Sequence, residues 1–236
     1  MAGTAAATAL TVRDVQVVVG AVQVLHPLTV ELAPGVVTAV RGPSGSGKTT
    51  LLSVAGGLLE PTRGTTSYAG APLWRGDGDP RPEVAFVLQV YGLVPILSAR
   101  ENVSVALRAR GVAPADADER AQLALRRMHV GDLGDRQVEE LSGGQMQRVA
   151  CARALVVEAA VLLADEPTSE LDEGNRELVM AELRAEAERG AVVVVASHDP
   201  AVVDAADRRL SLDEGRLVED VALPAGSSVA APRRDG

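Results

Sequence analysis

One stretch, residues 35–59, constrains the fold more than any other. "GVVTAV" is a short unbroken apolar run, "RGPSGSGKTT" follows it, and "KTTLLSVAGGLL" carries the chain toward Pro61. The apolar run predicts a strand buried on both faces. The glycine-rich segment predicts a loop whose backbone turns sharply, and the last segment a helix stopped near Pro61. Within the loop, Gly42, Gly47, Lys48 and Thr49 occupy the fixed positions of G-x-x-x-x-G-K-[ST]. Backbone N–H groups of such a loop, with the positive end of the helix that follows, are suited to wrap phosphates. Lys48 is the only lysine in 236 residues. The rest of the chain draws positive charge from arginine, so a lysine kept here needs a local reason. A compact ammonium on a flexible stem reaches phosphate oxygens through a narrow space, which a planar guanidinium does not do in the same way. Thr49 would place its hydroxyl on Mg²⁺.

Other segments extend the pattern on both sides. "LTVRDVQVVVG" and "VQVLHPLTVEL" predict two strands joined at Gly20, the start of an antiparallel sheet. "EVAFVLQ", "AVLLAD" and "AVVVVAS" predict further strands. From Val90 to about Leu155 the pattern turns helical, with a Ser98 cap on "SARENVSVALRARG". "DEGNRELVMAELRAEAERG" predicts an amphipathic helix closed by Gly190, and "RRLSLDEGRLVED" a hairpin turning at Glu214-Gly215. Buried strands alternating with helices predict an α/β domain with a mainly parallel sheet. We expect a loose N-terminus at 1–9 and one domain over 10–220, with a helical subdomain inserted at about 90–157. The small, Pro-containing tail at 221–236 is expected to be disordered.

Composition sets outer limits. Hydrophobic residues make up 47% but aromatics only 2%, so the core is expected to rest on Ala, Val and Leu. A net charge of −9 argues against a nucleic-acid partner, which would call for a basic face. The lone Cys151 cannot form an internal disulfide, which fits a reducing compartment. We see no apolar run near the roughly 18 residues that span a bilayer, and no signal peptide at "MAGTAAATAL". A cytoplasmic chain is expected.

Two further stretches bear on chemistry. "VLLADE" ends a hydrophobic strand in Asp165, a carboxylate suited to hold Mg²⁺, with Glu166 just beyond it to polarise an attacking water. Alone, an acidic pair would simply cap a strand; beside a phosphate loop it acquires a function. "LSGGQMQRVACARAL" opens a helix with Ser142, Gly143 and Gly144, a second backbone nest suited to an anion. One chain with one phosphate loop has no evident use for two such nests. A head-to-tail dimer would use both.

Together these stretches resemble the nucleotide-binding subunit of ATP-binding cassette (ABC) transporters, over about Leu10 to Asp220. "GPSGSGKT" resembles Walker A, "VLLADE" Walker B, and "LSGGQ" the family signature. Gln89 matches the Q-loop glutamine, "SELD" (Ser169 to Asp172) the D-loop, and His198 the switch histidine. The resemblance implies an ABC-ATPase fold: a mainly parallel core sheet, an antiparallel β-subdomain and an inserted α-helical subdomain. It implies Mg²⁺-ATP cradled by Gly42, Pro43, Ser44, Gly45, Ser46, Gly47, Lys48, Thr49 and Thr50. The metal would be held by Thr49, Gln89 and Asp165. Glu166, His198, Gln89 and Lys48 would act in hydrolysis. Ser142, Gly143, Gly144, Gln145 and Asp172 would serve the nucleotide of a second copy.

Three positions depart from the family. Val19 stands where many relatives stack an aromatic on adenine. Leu88 replaces a frequent aromatic before Gln89, and Glu170 puts a charge in the D-loop. "VYGLVPILSARENV", "EPTRG" and "DEPTSELD" are most similar to cassettes of the lipoprotein-release and macrolide-export type. That implies an integral membrane partner received at Val90 to Arg100, at the inner face of the cell membrane, and export or mechanotransmission. A non-transport ABC ATPase and a nucleotide-binding regulatory module without turnover are the alternatives. Asp199 and Cys151 are expected to be structural.

Overall fold

The computed structural model describes residues 8–223. The expected loose start and tail lie mostly outside that range. Strands β1 (Leu10–Val19) and β2 (Val22–Leu32) form the predicted hairpin across Gly20. Then β3 (Val37–Arg41) leads through the glycine loop into α1 (Lys48–Ala55). Strands β4 (Arg63–Tyr68) and β5 (Ala71–Pro72) follow, then β6 (Val84–Val87). Helices α2 (Ala99–Arg108), α3 (Pro114–Arg127) and α4 (Gly143–Leu155) pack on one another. The chain closes with β7 (Val161–Asp165), α5 (Glu173–Glu188), β8 (Val192–Ala196), α6 (Pro200–Asp204), β9 (Arg208–Asp213) and β10 (Arg216–Ala222). The hairpin turn at Glu214 and Gly215 has positive φ at both residues, as its tight two-residue connection requires.

Among the described residues the strands form two sheets. One is antiparallel, in the order β2-β1-β4-β5. The other runs β10-β9-β3-β8-β7-β6, parallel throughout except for the β9–β10 hairpin. Side chains alternate across a strand, and here both faces are covered. Val193 and Val195 of β8 belong to the hydrophobic cluster that takes in residues of α2, α3, α4 and α5, whereas Val192, Val194 and Ala196 belong to the one that takes in α1 and the antiparallel sheet. Strand β7 divides the same way, Leu162 and Ala164 on one side, Val161 and Leu163 on the other. All five residues of each strand are buried, the origin of the unbroken apolar runs in the sequence. The parallel arrangement brings the carboxyl ends of β3, β6, β7 and β8 to one edge, where ligands bind in open α/β sheets.

The structure corrects several expectations. Helix α1 ends at Ala55, well before Leu59. Gly56 abuts Phe86 and Leu163 so closely that a Cβ would lie 2.1 Å from the phenyl ring, and Gly57 turns the chain with φ 80°. Residues 90–98 are not helical; the helices begin at Ala99, where Ser98 and Glu101 form a reciprocal capping box. Strands β4 and β5 and helix α6 were not foreseen. Strand β10 continues through Val221 and Ala222, two residues into the segment expected as tail.

Gly57 and Gly70 separate backbone strain from collision. Both have positive φ, but a Cβ on Gly57 would lie 2.4 Å from the Leu73 carbonyl oxygen, while one on Gly70 meets nothing within 4 Å. Gly57→Ala is expected to destabilise the fold by about 3 kcal/mol and Gly70→Ala by about 1 kcal/mol. Urea unfolding of the two variants checks the ranking; equal losses would remove the steric account.

Candidate functional site

The glycine loop closes on itself because its residues permit close approach. A Cβ on Gly42 would lie 2.3 Å from the Leu212 carbonyl oxygen and 2.4 Å from Ser46 Oγ. Gly45 and Gly47 have φ of 80° and 98°, a region costly for other residues. Gly47 caps α1 without any side-chain acceptor, and the first turn of α1 carries no acid. Its first N–H groups therefore remain available to a ligand. Lys48 is buried, and its Nζ donates to the carbonyls of Gly42 (2.8 Å) and Pro43 (3.0 Å). The loop thus positions its own ammonium. In a chain of net charge −9, this corner combines a lysine with the positive end of a helix.

Opposite stands the acidic pair. Strand β7 delivers Asp165, which accepts a hydrogen bond from Thr49 Oγ1 at 2.6 Å. Burial pushes the Asp165 carboxyl above its ordinary range; the Thr49 hydroxyl acts against this, the Glu166 charge with it, and Lys48 against it. A hydroxyl and a carboxylate held together, with the Gln89 amide lining the same cavity, make an oxygen donor set that suits Mg²⁺. That ion is usually held by one or two carboxylates together with phosphates and water.

Glu166 is placed with unusual constraint. Its φ is 49°, a left-handed conformation that a non-glycine residue rarely takes. Its N–H donates to the Ala196 carbonyl at 2.9 Å, pinning it to β8. His198 Nδ1 lies 2.8 Å from Oε1, and Ser197 Oγ donates to Oε2 at 3.3 Å. Glu166 is 7% exposed, whereas the His198 side chain is 71% exposed. The pair therefore presents a shielded carboxylate behind an accessible imidazole. Lys48, Thr49, Gln89, Asp165, Glu166 and His198 all line one cavity of about 460 Å³.

The predicted site residues divide between two places. Ser44, Gly45, Gly47 and Thr50 also line that cavity; Ser46 lies buried behind it, its Oγ without a hydrogen-bond partner. Val19 is 59% exposed and is not among the lining residues. Val24, which the sequence reading missed, is. Its carbonyl oxygen would sit 3.0 Å from a Cβ on Gly47, a contact between segments that no local pattern announces. The second nest lies elsewhere. Ser142 caps α4 by accepting from Gln145 N, and Gln145 Oε1 accepts from Ser142 N at 2.9 Å. Ser142, Gly144, Gln145 and Asp172 line a separate cavity of about 220 Å³. Asp172 itself caps α5 through Asn175 N. Asp199 caps α6 and pairs with Arg176, and burial pushes the Cys151 thiol up to about 12, so both have structural roles.

Comparison with known proteins agrees with these motifs. The family model described as "ABC transporter" matches residues 25–169. The chain is 42% identical over 197 residues to an uncharacterized ABC transporter ATP-binding protein of Mycobacterium tuberculosis, spanning 81% of this chain and 60% of that one. It is 37% identical over 205 residues to a macrolide export ATP-binding/permease protein of Marinobacter nauticus, spanning 85% of this chain and 32% of that one. The chain therefore spans less than two thirds of these relatives. Among solved structures it is similar to an ATP-binding cassette in a dimeric post-hydrolysis state bound to ADP and Pi. There the TM-score is 0.84 and the identity 30%, over 91% of this chain and 99% of that one.

The position of Asp165 has a measurable consequence. Its ordinary value is 3.8, and burial raises it in the folded chain. The ionised form is thus less favourable folded than unfolded. It subtracts stability as pH rises from 3.8 through the raised folded value, and subtracts none below 3.8. Asp165→Asn is expected to stabilise the nucleotide-free chain at pH 7, with the gain fading as pH falls toward 3.8, and to abolish stabilisation by added Mg²⁺ and ATP. Urea midpoints at several pH values check this; a variant weaker than the parent at pH 7 contradicts the desolvation account.

Proposed function

The chain belongs to the ABC transporter family, and from that premise we propose that it is the ATP-hydrolysing subunit of a membrane transport complex. The observation that carries the reading is the Glu166–His198 pair opening onto the same cavity as the anchored Lys48. Lys48 and the N–H groups at the start of α1 bind the β- and γ-phosphates of ATP. Thr49 and Asp165, with Gln89, hold Mg²⁺. When bound, the ion neutralises charge on the phosphate oxygens. Glu166 orients a water and takes its proton as that oxygen bonds to the γ-phosphorus and the bond to the bridging oxygen breaks. His198, held by Glu166, stands at the open side of the cavity and fixes the γ-phosphate. A module that binds without turnover has no use for a strained, buried carboxylate paired with an exposed imidazole.

Two copies assemble head to tail. Ser142, Gly143, Gly144 and Gln145 lie outside the phosphate-loop cavity of their own chain, with Asp172 beside them. They are free to meet the nucleotide of a second copy, and the similar cassette solved as a dimer supports this arrangement. Closure around two ATP molecules, then hydrolysis and opening, does work on an integral membrane partner. No helix among the described residues is long and apolar enough to cross a membrane. Val90 and Ile96, each 81% exposed, offer apolar contact to that partner in the Val90–Arg100 segment. Similarity to macrolide export proteins supports export or mechanotransmission at the inner face of the cell membrane.

Removing the proton acceptor isolates the hydrolytic step. Glu166→Gln is expected to slow ATP hydrolysis by about 10²-fold or more and to trap an ATP-bound dimer in size-exclusion chromatography. Turnover at the parental rate would falsify the role of Glu166. Lys48→Arg keeps the charge but not the shape, and is expected to reduce hydrolysis by at least about tenfold; normal hydrolysis would refute the size argument. Capture of the Glu166→Gln protein with Mg²⁺ and ATP from solubilised membranes of its host should recover one integral membrane protein. Recovery of soluble partners alone would move the assignment to a non-transport ATPase.

A further inference from the structure

In this chain Glu170 stands beside the first turn of α4. A methyl group on Gly143 would lie 3.2 Å from Glu170 Oε2 and 3.5 Å from the Tyr91 hydroxyl. One on Gly144 would lie 2.9 Å from the Glu170 carbonyl oxygen. The Glu170 backbone is thus packed against the second glycine while its carboxylate reaches the first. Two substituents larger than hydrogen would close this approach, so the paired glycines are what let Glu170 pack here.

The first turn of α4 carries no acid of its own, and a negative group near exposed helix N–H groups is stabilised by the helix dipole. Arg148, the cation lining the same cavity, directs its donors to the carbonyls of Gly144, Met128 and His129. It leaves the Glu170 charge unneutralised. Burial, and then the Glu170 charge, hold the Tyr91 phenol above its usual range. That phenol therefore stays protonated beside the carboxylate.

We propose that Glu170 is a built-in competitor for the α4 N-terminus, setting how tightly this chain receives the phosphates of a second copy's ATP. The inference rests on the head-to-tail reading above. In that reading the arriving γ-phosphate approaches a helix end whose first glycine the Glu170 carboxylate already adjoins, and both groups are anions. Closure must move the carboxylate aside or hold it near like charge, and either weakens association. Glu170 is exposed, so the side chain is free to swing and the effect is one of degree. Two symmetric sites form per dimer, so the penalty acts twice.

The test compares dimerisation with Mg²⁺ and ATP in the full chain carrying Glu166→Gln, by sedimentation velocity, with and without Glu170→Gln or Glu170→Ala. Each uncharged variant is expected to tighten each site about threefold, and so the dimer about tenfold. Unchanged or weaker association in both, with ATP still driving dimers, overturns the proposal and leaves the head-to-tail reading standing. Tightening by Glu170→Ala alone would make bulk, not charge, the cause, and also overturns it. If ATP draws no variant into dimers, the head-to-tail reading fails and the competitor role fails with it.

Discussion

The site depends on three strands, β3, β8 and β7, with no solvent-facing side. β7 and β8 are buried along their whole length and β3 from Val37 to Val40, with Thr38 its one polar residue there, so charged groups appear only at the carboxyl ends. Chemistry is displaced to the few residues beyond: the glycine loop after Arg41, Asp165 at the last position of β7, and Ser197 and His198 just past β8. Parallel pairing then brings these ends into register. Asp165 pairs with Ala196 across the ladder, which sets Glu166 and His198 within hydrogen-bond reach. A register slip of one residue would exchange the faces of the strand, opening both hydrophobic clusters and separating the acid from the imidazole together.

The electrostatics follow from this geometry. The chain as a whole is acidic, yet its phosphate loop gathers an ammonium and the donors of α1 without a counter-carboxylate in the first turn of the helix. Asp165 accepts from the Thr49 hydroxyl and forms no ion pair with Lys48. Lys48 instead donates to loop carbonyls, which are neutral. A direct Lys48–Asp165 ion pair would satisfy both charges and leave little affinity for an anion.

Much of this was legible in sequence because it is written locally. Unbroken apolar runs mark doubly covered strands, G-x-x-x-x-G-K-T marks the loop, and Ser98 and Ser142 announce the helices they cap. Most of what was missed depends on contacts between distant segments. Helix α1 stops early at Gly56 and Gly57, a local C-cap signal that was passed over; only the packing of Phe86 and Leu73 against these glycines is non-local. Strand β4, with the exposed positions Arg63 and Thr65 and a glycine at 64, forms because β1 supplies its ladder. Val24 lines the phosphate-loop cavity and approaches Gly47, whereas the family resemblance had pointed to Val19. The charge of Glu170 was visible as a departure; its position over Gly143 was not.

Arg153 joins the loop after Gln89 to the helix that carries the second nest. Its guanidinium donates to the carbonyls of Tyr91 and Gly92, in the loop that follows Gln89. It sits near the far end of α4, whose first turn is the second nest. At 1.5 Å per residue, the thirteen residues of α4 make a rod about 20 Å long. The loop that follows Gln89 is thus joined to both ends of that rod, by Arg153 at one and by the Tyr91 hydroxyl beside Gly143 at the other. In the proposed head-to-tail dimer, this helix is the physical link between the loop beside one nucleotide and the surface that meets the other.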